Sequence, residues 1–150
     1  MGPRGAAPVR PEDLVGAWAL ESFVVRREGC ADHHPFGADG GGLIVYERSG
    51  WMSAVLSAAQ RRSGATRLED AHRVPDDAKA RAYDSYLSYA GRWWLDGHEV
   101  VHAVEHALVP EVVGREQRRR AAMDGDVLVL TYDVEGRRGL ARFELRWRRA

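Results

Sequence analysis

The stretch Leu14-Val15-Gly16-Ala17-Trp18 places a Gly-x-Trp sequence at the start of a predicted strand, and it decides the fold. After it come further short runs of alternating or β-branched residues, about eight strands in all, interrupted by one helical pattern. Consecutive strands joined by tight turns form a meander, and closing a meander removes its exposed edges. The sequence therefore predicts a mainly β protein, an antiparallel up-and-down barrel of about eight strands with one helix.

Length and composition predict a single domain, because a chain of 150 residues is about one domain's worth. Residues 1–12, whose first ten carry Gly, Pro and Ala, are predicted to be a flexible N-terminal tail, and residues 13–150 to be the barrel. Strands are predicted at about residues 17–26, 43–46, 51–57, 92–95, 99–109, 116–123, 126–132 and 140–147.

One helix is predicted from Pro75 to about Ala90, since Pro suits a first helical turn and Gly91 follows the end. Its apolar stripe would consist of Tyr83, Tyr86, Leu87 and Ala90. The polar segment at residues 58–74, rich in arginine, is long enough to be a lid over one barrel end.

Charge and cysteine content exclude several classes of partner. Lys and Arg number 22 and so do Asp and Glu, so no net field draws the protein to nucleic acid or to an anionic membrane. There is no signal-peptide pattern or run of about 20 apolar residues, and the single cysteine, Cys30, has no disulfide partner. We expect a cytoplasmic protein, monomeric or homodimeric, without nucleic-acid or membrane partners.

The sequence His102-Ala103-Val104-Glu105-His106 has the His-x-x-Glu-His spacing of a zinc site, but only on a helix. Its β-branched neighbours predict a strand, on which four residues span about 13 Å, too far for both imidazoles to reach one ion. No metal site is expected. Alternation puts His102, Val104 and His106 on one face, with His102 inside the barrel and His106 nearer the mouth. His102 is then either a general acid or base or a structural histidine.

Arg119 lies between Arg118 and Arg120, so alternation turns it to the opposite face, which places a guanidinium in the barrel if that face is the interior. A buried arginine needs an anionic partner. That partner is either a ligand enolate or carboxylate, or a structural salt bridge to Glu21 or Glu144.

Aromatic residues are the candidates to line or close the cavity, and Tyr46 is the candidate hydroxyl donor to a developing oxyanion. The candidate ligand-binding residues are Trp18, Trp51, Tyr86, Tyr89, Trp93, Val104 and His106, and the candidate catalytic residues are His102, Arg119 and Tyr46. No phosphate loop, nucleophile elbow or dinucleotide fingerprint stands in a suitable context, so no cofactor is expected.

A series of short motifs, taken in order, resembles the bacterial and fungal lipocalin-like domain family from Leu14 to Arg148. The motifs are Leu14-Val15-Gly16-x-Trp18, Pro35-Phe36-Gly37, Gly42-x-Ile44-x-Tyr46, Gly50-Trp51-Met52-Ser53, Tyr86-x-x-Tyr89-x-Gly91, Val100-x-His102-x-Val104, Pro110-x-x-x-Gly114 and Arg119. Where the family tends to place apolar or aromatic residues beside the arginine, this chain has Arg118 and Arg120.

The resemblance implies a barrel that holds a small, largely apolar molecule, and similar barrels in natural-product pathways act as cofactor-free cyclases or isomerases. The leading hypothesis is such an enzyme acting on a polyketide-like or other apolar metabolite. One alternative is a carrier that binds the same ligand without chemistry. A third is a barrel with a filled interior, which would show no cavity larger than a few water molecules.

Overall fold

A computed structural model describes residues 7–150, and in it eight antiparallel strands form one closed barrel. Each strand pairs with the next along the chain, and the last pairs with the first. The strands are β1 (Gly16–Arg27), β2 (Gly41–Tyr46), β3 (Trp51–Ser57), β4 (Tyr86–Asp96), β5 (Glu99–Ala107), β6 (Glu116–Asp124), β7 (Val127–Gly136) and β8 (Gly139–Arg149). The helices are α1 (Pro11–Leu14) and α2 (Asp76–Asp84), with short 3-10 helices at Leu68–Arg73 and Pro110–Val112. The predicted mainly β, up-and-down barrel is confirmed.

The Gly-x-Trp sequence closes one end of the barrel. Trp18 is almost completely buried, and its indole N–H donates a 2.9 Å hydrogen bond to the carbonyl of Leu14. The Arg149 guanidinium lies 4.0 Å from the centre of the Trp18 ring and donates to the carbonyls of Asp13 and Val15. Gly16 has a φ of +128°, and a Cβ there would meet the Arg149 guanidinium. Only glycine therefore fits where the chain turns into β1.

The N-terminal segment packs against this closed end from residue 9 onward. The side chains of Val9 and Leu14 are buried, and α1 begins at Pro11. The predicted flexible tail thus overlaps residues that have a defined place, while residues 1–6 lie outside the described part of the chain. Between residues 7 and 150, no helix combines the length and apolar character needed to cross a bilayer.

The predicted helix from Pro75 to Ala90 is wrong in its second half. Helix α2 ends at Asp84, and from Tyr86 the chain pairs with β3 and later also with β5. A short apolar run fits either period, and here alternation decides, because Leu87, Tyr89 and Trp93 share the inward face of β4. Pairing on both sides satisfies backbone groups that the last turns of a helix would leave without partners.

A β-bulge in β5 overturns the expected placement of His106. Val104 pairs with Gly91, but His106 pairs with Ala90, so Glu105 is an extra residue opposite β4. One extra residue reverses the inward and outward alternation that follows it. His102 and Val104 are consequently buried inside, whereas the side chain of His106 is exposed. The two histidines of the His-x-x-Glu-His sequence therefore do not share a face.

Gly91 is the residue that accommodates this bulge. A Cβ at position 91 would collide with the carbonyl oxygen of Ala103 and lie 3.0 Å from the backbone nitrogen of Glu105. Both atoms belong to the neighbouring strand, so neither moves as easily as the end of a flexible side chain.

We predict that Gly91→Ala lowers the free energy of unfolding by about 1–3 kcal/mol, the usual cost of forcing atoms into packed space. Gly41→Ala is the matched control, because Gly41 also lies in a strand and has no neighbour within 4 Å of the added carbon. Urea unfolding followed by circular dichroism measures both. Equal unfolding midpoints and slopes for the two variants would contradict the steric role of Gly91.

Candidate functional site

A small cavity lies inside the barrel on the side away from α1. Its volume is about 60 Å³, and because one water needs about 10–15 Å³ by the same measure, it has room for about four to six water molecules. The walls are mostly hydrocarbon, with the polar groups gathered on a few side chains. The lining residues are Phe23, Ile44, Ala54, Leu56, Leu87, Tyr89, His102, Arg119, Leu130, Tyr132, Leu145 and Trp147.

His102 forms the centre of a buried hydrogen-bonded chain. It lies on the inward face of β5 and is 1% exposed. Its Nε2 lies 2.8 Å from the Tyr46 hydroxyl, and its Nδ1 lies 2.8 Å from the Tyr89 hydroxyl. Strands β2, β4 and β5 each supply one member, so the closure of the barrel brings the three side chains together.

Counting donors and acceptors gives this chain a direction. A neutral imidazole has one N–H and one acceptor nitrogen, so one tyrosine donates to it and the other accepts from it. Tyr46 is fully buried and has no second partner among the described residues. If Tyr46 accepted, its hydroxyl hydrogen would be buried without an acceptor, at a cost of about 1–3 kcal/mol. We therefore assign Tyr46 O–H as the donor to Nε2 and His102 Nδ1–H as the donor to Tyr89.

The Tyr89 hydroxyl hydrogen is then free. Tyr89 lines the cavity, whereas Tyr46 does not, so the chain ends in a hydroxyl that can donate to an acceptor within the cavity. The hydroxyl of Tyr89 can therefore donate a hydrogen bond to a molecule bound in the cavity.

Burial keeps all three groups neutral. Loss of hydration, with a smaller effect from the positive charge of Arg119, lowers the pKa of His102 to about 3. Burial likewise raises the pKa of Tyr89 to about 12 and that of Tyr46 well above 10, with Arg119 acting in the opposite direction on both. At neutral pH all three side chains of the hydrogen-bonded chain are uncharged, and the imidazole of His102 is a weak base.

Arg119 supplies the positive charge at the cavity. Its guanidinium lies 3.7 Å from the centre of the Tyr132 ring and donates to the Gln117 side-chain oxygen at 3.1 Å and to the Arg118 carbonyl at 2.9 Å. No carboxylate from residue 7 onward lies within 4 Å of it, and at least two of its five N–H groups remain free. The opposite facing of the neighbouring Arg118 is as expected, since Arg118 pairs with surface carboxylates.

The salt-bridge alternative for Arg119 is wrong. Glu21 pairs with Arg146 and Arg148 on the outside of the barrel, and Glu144 pairs with Arg26. Both carboxylates are therefore engaged elsewhere, and Arg119 relies on neutral acceptors and on the face of Tyr132.

Trp147 carries a buried donor without a partner. The residue is 1% exposed and lines the cavity, and its indole Nε1 has no hydrogen-bond partner among residues 7–150. Buried N–H groups are nearly always paired, so this one calls for an acceptor from outside the described protein atoms.

The structure brings together only part of the predicted site. His102, Tyr46, Tyr89 and Arg119 lie within one hydrogen-bonded or electrostatically coupled group. Trp93 packs behind Tyr46, with ring centres 4.9 Å apart, and its indole donates to the carbonyl of Glu47. Trp93 therefore supports the site without lining the cavity.

The other predicted ligand-binding residues lie elsewhere. Trp18 closes the opposite end, Trp51 is exposed beneath the guanidinium of Arg92, and Tyr86 lies under Arg61 beside α2. Val104 is buried but does not line the cavity, and His106 is exposed. No cavity-lining residue comes from residues 58–74, so the lid remains a prediction.

Two cavity residues that carry a polar group, Tyr132 and Trp147, were absent from the sequence prediction, as were the purely hydrocarbon residues of the wall. Both follow the alternation of their strands: Tyr132 continues the inward series of Leu128 and Leu130, and Trp147 that of Leu145. Alternation could have placed them inside, but it contains no signal that the Trp147 donor lacks a partner.

A closed, eight-stranded meander with an apolar cavity and a few convergent donors defines a barrel of the class that fits small-molecule binding. The chain belongs to the lipocalin-like domain family, whose model matches residues 15–150. The expected resemblance is thereby confirmed. Comparisons with curated proteins and with solved structures gave no match.

Nitrogen NMR of labelled protein tests the direction of the chain. We predict that His102 carries its proton on Nδ1 and that its resonances do not titrate between pH 7 and pH 4, because burial holds its pKa at about 3. A proton on Nε2, or titration near the ordinary histidine pKa, would refute the assignment.

The same pKa shift predicts a pH-dependent stability. The unfolded chain binds a proton at His102 near pH 6.5 and the folded chain only near pH 3. Its contribution is therefore fully present above pH 6.5 and declines as pH falls toward 3, by at most about 1.4 kcal/mol per pH unit. Urea unfolding between pH 6.5 and 5 should show a flatter pH dependence for His102→Gln. Parallel curves for variant and wild type would rule out this linkage.

Proposed function

We propose that this barrel binds a small, largely apolar molecule bearing an oxygen acceptor and converts it as a cofactor-free isomerase or cyclase. The observation that carries the proposal is the Tyr46–His102–Tyr89 chain, which ends at the cavity beside Arg119. It supplies a fixed donor and a positive charge within apolar walls.

Such an arrangement suits a reaction in which negative charge develops on oxygen. Donors that are already oriented stabilise a developing enolate more strongly in an apolar, water-poor site than in water. Tyr89 is held by His102, and Arg119 is held by Gln117 and Tyr132, so neither has to reorganise as charge develops. Rearrangement within one molecule also benefits from being held in a reactive conformation.

This geometry changes the role assigned to His102. With both nitrogens engaged and a pKa of about 3, the imidazole does not serve as a general base at neutral pH. His102 acts as a positioning residue that orients the Tyr89 hydroxyl, and Tyr89 is the group proposed to contact the reacting oxygen.

Size restricts what the cavity encloses. A volume of about 60 Å³ takes the polar end of a ligand but not a whole polyketide-sized body. The partly exposed side chains of Phe23, Leu87 and Tyr132 border it, so the rest of a larger ligand would lie toward these residues.

The second candidate is a carrier. It is favoured by the absence of a carboxylate from the cavity walls, together with the weak basicity of His102, because no proton acceptor with a pKa near neutrality lines the site. The filled-barrel alternative is favoured by the small volume, but it provides no partner for the Trp147 indole.

Metabolite comparison tests the proposal without a known substrate. Extracts of the source organism with and without the gene are compared by liquid chromatography and mass spectrometry, and purified protein is then added to the extract lacking it. A peak of unchanged mass that shifts in retention on addition supports the isomerase or cyclase. Protein that retains a metabolite unchanged supports the carrier.

We predict that Tyr89→Phe and Arg119→Gln each reduce turnover of that peak by about 100-fold or more, as loss of one oriented donor does elsewhere. Tyr83→Phe and Arg120→Gln are the matched controls, because both residues are exposed and lie outside the cavity. Turnover is measured as initial rate per protein. Rates equal to those of the controls would remove Tyr89 and Arg119 from the mechanism.

A further inference from the structure

We infer that the cavity is a binding site for an organic oxyanion, a carboxylate or an enolate on a short apolar body. We also infer that Trp147 is part of this binding site. The inference rests on the proposed function in that it names the substrate class of the same site. It assigns to the ligand a charge that is present on binding, rather than one that only develops during the reaction.

The first argument is the excess of donors over acceptors. Two groups on cavity-lining residues have hydrogen to donate, the Tyr89 hydroxyl and the Arg119 guanidinium, and a third lining residue, Trp147, carries a buried indole N–H without a partner among residues 7–150. No carboxylate of residues 7–150 lines the cavity, and both nitrogens of His102 are hydrogen-bonded to tyrosine hydroxyls. A ligand group that accepts several hydrogen bonds and donates none complements this set, as a carboxylate or an enolate oxygen does.

The second argument is charge. Arg119 is partly buried and has no carboxylate within 4 Å among residues 7–150. A guanidinium removed from water gains most from an anion, because charge-assisted hydrogen bonds are about twice as strong as neutral ones. The neighbouring Arg118 shows the contrast, since it lies on the outer surface within 4 Å of three carboxylates.

The third argument is the buried Trp147 N–H. A buried donor without a partner destabilises the free protein, and a bound acceptor that reached it would remove that penalty. The remaining walls, such as Leu56, Leu130 and Leu145, are hydrocarbon and suit a short apolar body.

A matched pair of probes tests the charge requirement. Butyrate and butyramide have nearly the same size and shape, but only butyrate is an anion at pH 7. Binding to labelled wild-type protein is followed by NMR titration, with the Trp147 indole resonance identified by its loss in Trp147→Phe. Benzoate and benzamide repeat the comparison with a larger body.

We expect at least one carboxylate to bind about ten-fold or more tightly than its amide and to shift the Trp147 indole N–H resonance. In Arg119→Gln the ratio should fall to about one, whereas Arg120→Gln should keep it. Should Trp147→Phe fail to fold, the indole of the wild-type protein is identified by sequential assignment and still reports contact.

Equal affinity of both carboxylates and their amides overturns the inference, and so does the absence of binding by either carboxylate. If Arg119→Gln still prefers a carboxylate over its amide, Arg119 does not bind the anion and the inference is overturned. If the chemical shift of the Trp147 indole N–H does not change while a carboxylate binds, Trp147 is not part of the binding site. A carboxylate preference without turnover leaves the inference standing and removes the isomerase, and turnover of a neutral substrate without such a preference has the reverse effect.

Discussion

Closure of eight strands into one barrel leaves an interior only as wide as the side chains that fill it, and this constraint shapes everything else in the molecule. Large residues such as Trp18 and Trp147 occupy most of the space. The cavity is what remains where the inward residues do not meet. Its small volume is therefore a property of the architecture, and its chemistry depends on the few polar side chains that the walls admit.

Those polar side chains are paired so that one hydrogen-bond donor remains free on the side of the cavity. Tyr46 satisfies the deeper nitrogen of His102, and the imidazole in turn satisfies the oxygen of Tyr89. Burying an imidazole and two hydroxyls in an apolar core is tolerable because each finds a partner, and a partly satisfied network would be costly. The single hydrogen left over belongs to the hydroxyl of Tyr89, which lines the cavity together with Arg119, a residue that no carboxylate from residue 7 onward approaches within 4 Å.

The fold was predictable because its signals are local: alternation, turn residues and the Gly-x-Trp entry each act over a few residues. The placement of His102 and Arg119 followed from alternation within their strands. The same reasoning placed His106 wrongly, because a bulge depends on how β5 pairs with β4. The sequence of β5 alone does not contain this register. The helix was extended too far because pairing with β3 and β5 outweighs a helical stripe. The hydrogen-bonded chain joins three strands, so no linear pattern announced it.

The connectivity of the barrel also has a kinetic consequence. Every strand pairing but one joins consecutive strands, and the exception unites Arg27 with Ala141 and Trp18 with Arg149. Local hairpins lose little entropy on forming, so the pairing of β1 with β8 has the largest loop-closure cost. Opening it would free two sheet edges at once, each able to pair with a strand of another copy. Protection of the barrel against domain exchange thus rests on the pairing of β1 with β8, which also encloses the cavity.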